Sequence, residues 1–293
     1  MNAAIGPGAE WGAEFGLGAH LGAEWGALSR AARDAAYNNT AAVADVAALH
    51  EARARASLAA REASPAALDL PYGPGERHRI DVFPAADPQA PCLVFIHGGY
   101  WQMNSKESFA CLADGVRAHG WSAAFPGYSL APSATLAQIV GEIGTALDWL
   151  AAHGGAHGAG GPIVVSGWSA GGHLAALALD HPAVVAGLGI SGIYELGPLR
   201  DTYLNEKLAL SDEQVATLSP LRRPVVPKPM AITYGTQELP ALIANSRRLH
   251  AYRAAANAPG ALLPAPGRNH FTILDDLRQP DGFLTRQILV LPG

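Results

Sequence analysis

The segment Ser166-Gly-Trp-Ser-Ala-Gly-Gly-His173 holds the residues best suited to covalent chemistry. It contains Gly167-x-Ser169-x-Gly171, with Gly172 alongside, between an apolar run that reads as a buried strand and a run that reads as a helix. A serine on so sharp a strand-to-helix turn takes strained dihedrals, and its neighbours two positions away must be small. The chemistry would be attack of the Ser169 hydroxyl on an acyl carbon. The competing reading is a glycine-rich turn whose serine merely caps the helix. Strand before, helix after and the extra glycine favour the nucleophile.

Such an attack needs an oxyanion stabiliser, a base and an acid that orients the base. His97-Gly-Gly-Tyr-Trp101 ends an earlier apolar strand, where glycines let backbone N–H groups approach a tetrahedral oxyanion without a Cβ in the way. Donors are expected from Ala170 and from Gly98 or Gly99, with His97 holding the loop through a ring hydrogen bond. Around this kind of elbow the partners follow in the order nucleophile, acid, histidine. Among 11 histidines, only His181, His250 and His270 lie beyond the elbow helix. His181 comes before two further strands and His250 sits inside a helical stretch beside arginines, so His270, in a loop after the last core strand, is the base. Glu238 is the one carboxylate between Glu213 and His270 and follows a strand directly, which makes it the acid. Its alternative role is a glutamate placed at a helix start by the macrodipole, next to Pro240.

Elements that could position these groups are legible from periodicity. A helix is expected from Thr40, as N-cap, to Glu62. Strands are expected at Arg77–Phe83 (alternating, antiparallel, at an edge), Pro91–His97, Trp121–Pro126, Pro162–Ser166, Val184–Ile190, Met230–Tyr234 and Ala261–Leu263. Between them, helices are expected from an Asn104–Glu107 capping box to Gly120, over Leu136–Ala152 and over Ala170–Leu179. This alternation predicts an α/β fold with a mainly parallel central sheet and helices on both faces. Residues 191–228 leave room for a small cap with a short helix from Ser211. Residues 1–28 read as a low-complexity extension, in which Gly8-Ala-Glu-Trp-Gly-Ala13 recurs as Gly22-Ala-Glu-Trp-Gly-Ala27, anchored only through Trp11 and Trp25. Residues 29–293 form the single domain.

Composition narrows the partners. Hydrophobic residues make up 49% of the 293 and charged residues 15%, enough for a large core. The net charge of −5, without a basic stripe, argues against nucleic acid and anionic membranes. Trp149–Leu179 is free of Asp, Glu, Lys and Arg, but the Gly/Pro cluster 154–162 divides it into shorter elements. No cationic n-region opens the chain, so a cytoplasmic protein is expected. Cys92 and Cys111 read as reduced core thiols. His153 and His157 lie on a glycine loop without a companion carboxylate, so neither metal nor organic cofactor is expected.

These residues resemble the α/β-hydrolases, and within them the kynurenine formamidase (arylformamidase) branch that neighbours the hormone-sensitive-lipase-like esterases. The resemblance rests on His97-Gly-Gly-Tyr-Trp-Gln102, Tyr128-Ser-Leu-Ala-Pro132, Gly167–Leu174, Ser191-Gly-Ile-Tyr194 and Asn269-His-Phe271. Glu238-Leu-Pro240 with Asn245-Ser-Arg247 resembles the family's acid segment, and Tyr37-Asn38-Asn39 its approach to the core. The similarity spans about residues 35 to 290. Two departures stand out: Trp168 occupies a place where relatives often carry Asp or His, and the acid is Glu.

The resemblance implies an α/β-hydrolase fold and hydrolysis of a small acyl, formyl, amide of an aromatic amine such as N-formylkynurenine. A carboxylesterase for short acyl esters is the second reading, and a hydrolase-fold binding protein without catalysis the third. Tyr100, Trp101, Trp168, Tyr194, Tyr203 and Phe271 are expected to line the substrate site as flat apolar surfaces. The partner is then a small molecule, and a homodimer is compatible with the chain. An organophosphate or sulfonyl fluoride should label Ser169 alone; peptide mapping that found the adduct on Ser166 or Ser191 would relocate the elbow.

Overall fold

A computed structural model describes residues 25–63 and 67–291. The first GAEWGA copy and Trp11 lie outside the described residues, as do residues 22–24 of the second copy. The eight-stranded sheet has the order β1-β2-β4-β3-β5-β6-β7-β8. Its strands are β1 (Leu70–Pro71), β2 (Arg79–Phe83), β3 (Cys92–Ile96), β4 (Ser122–Pro126), β5 (Ile163–Trp168), β6 (Val184–Ile190), β7 (Met230–Gly235) and β8 (Leu262–Ala265). β2 runs antiparallel to both neighbours, and every other pairing from β4 to β8 is parallel.

Side chains of the central strands alternate between two cores, as a period of two requires. Cys92, Val94 and Ile96 join one core, and Leu93 and Phe95 the other. Against the first pack α3 (Leu136–His153), α4 (Ala170–Ala178) and α6 (Pro240–Ala255). Against the second pack α2 (Val46–Glu62) and the 3-10 turn Lys106–Leu112, with the C-terminal helical segments. A leading helix, α1 (Arg30–Ala36), lies before α2, and α5 (Asp212–Leu218) belongs to the cap. The two cysteines are free and wholly buried in opposite cores, and burial pushes the Cys92 thiol up to about 12. Among the described residues no helix is long and apolar enough to cross a membrane.

Four local expectations change. Helix α2 starts at Val46, not after Thr40, because Asn39 is committed elsewhere: its amide donates to the Tyr100 hydroxyl at 2.9 Å, and Asn38 Oδ1 accepts from Ala41 N in a turn. Strand β2 is interior rather than an edge, since the two-residue β1 covers it, and it is buried along most of its length. Asn104 does not cap a helix; the turn that follows is 3-10, without a side-chain cap, and only Ala113–Arg117 is α-helical. The last strand ends later than expected, at Ala265, where it still pairs with Gly235. In the cap, α5 begins at Ser211 with a capping box closed by Gln214.

One buried ionic cluster fastens the sheet to the second helical layer. Asp81, on β2, is fully buried, accepts from Lys106 Nζ at 2.7 Å and from Asp69 N at 2.9 Å, and pairs with Arg61 at the end of α2. Lys106 also reaches Asp69 and Glu107. Removing one member would strand buried charge, which typically costs about 3–5 kcal/mol. Asp81→Ala should therefore lower unfolding stability by about that amount in a urea titration; a loss under about 1 kcal/mol would show that water resolvates Lys106 and Arg61.

Candidate active site

Parallel register sets out the site along the carboxyl ends of the strands. Ile96 pairs with Gly167, so two residues further on Gly98 meets Ser169. Trp168 pairs with Ile190, so Ser169 is followed across the sheet by Ser191, and Ser169 N donates to Ile190 O at 2.8 Å. From β3 the chain next forms a strand on one side, and from β5 on the other. Their adjoining loops therefore open a crevice at the switch point of the sheet, the usual ligand position in open α/β sheets.

Ser169 has φ 58° and ψ −118°, and its side chain makes no cap hydrogen bond to α4. The capping alternative therefore fails, because no helix amide bonds to the hydroxyl. The turn is this tight because a Cβ on Gly167 would come within 2.1 Å of Gly171 O, and one on Gly171 within 2.0 Å of Ile96 O. Ala170 opens the helix, so its N–H has no intrahelical acceptor.

The loop facing Ser169 is held from behind. His97 is buried with its ring stacked on Tyr128 at 4.2 Å, and its Nδ1–H donates to Gly98 O at 2.8 Å. Burial lowers the His97 pKa to about 4, so the ring is neutral near pH 7 and a proton on Nδ1 serves this bond. The Tyr128 hydroxyl donates to His97 O at 2.7 Å, and Asn104 Nδ2 donates to Gly98 O at 3.1 Å. A trans peptide puts C=O and N–H on opposite sides, so tying back Gly98 O turns the Gly99 N–H the other way. Gly99 has φ 119°, which glycine tolerates, and a Cβ on Gly98 would lie 3.1 Å from Ser169 Cβ.

Glu238 and His270 meet at the ends of β7 and β8. Glu238 Oε2 lies 2.9 Å from His270 Nδ1. Its Oε1 accepts from Ser191 Oγ at 2.6 Å and from Gly235 N at 2.5 Å. The carboxylate thus has three donors while its side chain is completely buried. Glu238 precedes the helix, whose N-cap position is Leu239, and no acidic residue occupies that helix's first turn, so the macrodipole role does not describe it. Asn269 builds the histidine loop by accepting at Oδ1 from Phe271 N and Thr272 N, both at 2.9 Å. Asp276 is engaged by Arg268 at 2.7 Å, away from His270. With Nδ1 donating to Glu238, Nε2 is the basic nitrogen. The ring makes no hydrogen bond to the Ser169 hydroxyl in this state; such bonds often tighten only once substrate is bound.

The six aromatic residues separate. Trp101 and Tyr194 are wholly buried in the core, Trp101 with its ring edge-on to His173 at 5.0 Å. Tyr100 is tied to the N-terminal segment, its hydroxyl bonded to Asn39 and Tyr37 O. Tyr203, on the cap, is 37% exposed and is the most open of the six. Phe271 packs edge-on to His270 at 5.4 Å, and Trp168 lies against both His270 and Phe271. Sequence reasoning missed Ser191, Asn104 and Asn39 as site supports. A small polar residue directly after a buried strand was the available signal for Ser191.

A family profile for BD-FAE matches residues 80–181. Kynurenine formamidase of Danio rerio is 26% identical over 250 residues, covering 80% of this chain and 84% of that protein. A crystal structure from Silicibacter sp. TM1040, provisionally described as a thioesterase, superposes with a TM-score of 0.80 at 30% identity, covering 88% of this chain and 98% of that one. Esterase B of Lactobacillus rhamnosis shares the fold, with a TM-score of 0.67 at 18% identity, covering 96% of each chain.

Ser191→Ala removes the shorter of the two side-chain bonds to Glu238 and leaves a buried carboxylate oxygen with one donor fewer. Bonds to charged groups contribute about 1.5–3 kcal/mol, so kcat/KM should fall roughly ten- to a hundredfold. Kinetics indistinguishable from wild type would show that Gly235 N alone holds the carboxylate.

Proposed function

The chain belongs to the α/β-hydrolases, in their kynurenine formamidase-like branch, and from that premise we propose that it hydrolyses a small acyl amide of an aromatic amine, with N-formylkynurenine as the leading substrate. Ser169 Oγ attacks the formyl carbon while His270 Nε2 takes its proton. Glu238 holds the imidazole in the required tautomer and supports the imidazolium that forms. Negative charge on the former carbonyl oxygen is met by the N–H groups of Ala170 and of Gly98 or Gly99. Collapse of the tetrahedral intermediate breaks the C–N bond, and His270 returns the proton to the leaving amine. Water, activated by the same histidine, then releases formate from Ser169.

The observation that carries the small-acyl reading is the enclosure of the reacting groups. Ser169 and His270 keep only 2% and 3% of their surface exposed. A formyl group asks for little room beside them, whereas a long acyl chain would need an apolar channel. The aromatic leaving group is supported by Phe271, whose ring lies edge-on to His270, and by Tyr203, the exposed ring of the cap. Buried, unpaired thiols at Cys92 and Cys111 suit a reducing, cytoplasmic compartment.

The second reading, a carboxylesterase for short acyl chains, is favoured by the shared fold of Esterase B and uses the same residues. Comparing kcat/KM for N-formylkynurenine with p-nitrophenyl acetate, butyrate and octanoate separates the two. Formyl amide turnover with esterase rates falling from acetate to octanoate is expected. A rise towards octanoate without formamidase turnover would replace the small-acyl reading with a lipase-like one.

A further inference from the structure

We propose that Trp168 is a positioning residue for the base His270, locked in place by the buried guanidinium of Arg53, and not a residue that binds substrate. Trp168 immediately precedes the nucleophile, yet its side chain turns under the site. Its indole N–H donates to the His270 carbonyl at 2.7 Å, and its ring lies 4.8 Å from the imidazole at 37°. The opposite edge touches the oxyanion loop: a Cβ on Gly98 would come within 2.7 Å of Trp168 Cε3. One side chain thereby spans the two loops that must keep a fixed separation from Ser169. Only 2% of its surface is exposed, because its ring is enclosed by His270, Phe271 and Phe109.

Arg53 supplies the backing. Its guanidinium carbon lies 5.7 Å from the Trp168 ring centroid and 4.8 Å from that of Phe109, and the residue is 6% exposed. Among the described residues it makes no ion pair with a carboxylate; Nη2 bonds to His50 Nδ1 at 2.8 Å, and Nε has no partner. A buried cation in this position is stabilised by the ring faces themselves, an attraction that strengthens with desolvation. His50, one turn before Arg53 on α2, packs edge-on to Phe271 at 5.3 Å. One face of α2 therefore presses on the two aromatic residues that border His270.

The inference rests on His270 acting as the base, and the test separates the two. Replacing residue 168 by 3-benzothienylalanine keeps the ring and removes only the N–H, leaving a buried carbonyl on His270 unsatisfied. The expected result is a fall in kcat of about tenfold with KM within about twofold, and an equal slowing of Ser169 phosphonylation by a fluorophosphonate. Arg53→Met, which keeps length but not charge, should lower kcat in the same direction with KM unchanged. A raised KM, or an altered acyl-chain preference at unchanged kcat, would make Trp168 a pocket residue and overturn the proposal. Wild-type phosphonylation rates in the benzothienyl variant would overturn it too. If His270→Ala itself phosphonylates at the wild-type rate, the assignment of the base fails instead.

Discussion

The turn at Ser169 is the constraint on which the rest of the site depends. Strand β5 must become helix α4 within a single residue, and the strain of φ 58° there persists only if the surroundings over-determine it. Gly167 and Gly171 make the close approach sterically open, while the hydrogen bond from Ser169 N to Ile190 O anchors the elbow to the next strand. Parallel pairing then does the remaining placement. Because β3, β5 and β6 lie side by side, Gly98, Ser169 and Ser191 fall in one row just past their strand ends, while the segments after β7 and β8 fold back so that Glu238 reaches Ser191 and His270 reaches Trp168. The loop after β8 travels back past β7 and β6 to do so, and each segment is fixed at a strand end on one side at least.

Two buried histidines near this row have opposite electrostatic surroundings, and the difference divides their work. His97 meets a carbonyl, a tyrosine hydroxyl and aromatic faces, so desolvation dominates and the ring stays neutral. It can hold a peptide in one orientation, and among the described residues no carboxylate bonds to its ring. His270 has the Glu238 carboxylate 2.9 Å from Nδ1, which fixes the proton on that nitrogen and leaves the lone pair on Nε2. Glutamate here reaches from the residue before α6, and its longer side chain needs fixing at the far oxygen. Ser191 and Gly235 N do that. The carboxylate is therefore held in place by the protein alone, the preorganisation that the proposed role of Glu238 would require.

Much of this was legible from residue order alone. Ser169, Glu238 and His270 could be nominated because few candidates of the right type follow the elbow, and Glu238 and His270 do meet at 2.9 Å; the central strands could be read because uninterrupted apolar runs leave no other reading. The residues that escaped share a physical cause. Asn104 has the sequence context of a helix cap, yet its amide is spent on Gly98 O, a contact 6 residues back that no local pattern encodes. Thr40 failed as a cap for a similar reason, since the neighbouring Asn39 is held by Tyr100, 61 residues away. Trp101 and Tyr194 are aromatic residues in irregular loops, where there is no period to say which face they take. Their burial is decided by tertiary packing. Strand β1, with two residues, is too short for any periodicity to register.

Two kinds of contact surround the site, and their strengths differ by design of the fold. Beneath it, the bonds of His97, Tyr128, Glu238 and Trp168 are buried, short and mutually dependent, so losing one leaves another unsatisfied. Above it, α1 meets the cap through contacts open to water: Arg30 with Glu206 at 3.6 Å, Arg33 with Asp201 at 3.8 Å, and Trp25 Nε1 with Asp201 at 3.2 Å. Exposed pairs of this kind contribute about 0–1 kcal/mol each and weaken with salt. Between the two lies Tyr37, which is 2% exposed, stacks edge-on to Trp25 at 5.8 Å and accepts the Tyr100 hydroxyl at its carbonyl. Tyr100 in turn belongs to the loop that carries Gly98 and Gly99. The weakly held N-terminal segment is thus joined to the Gly98–Gly99 loop through the Tyr100 hydroxyl, which bonds both to Tyr37 O and to Asn39, while Glu238 and His270 are held to each other at the other end of the site.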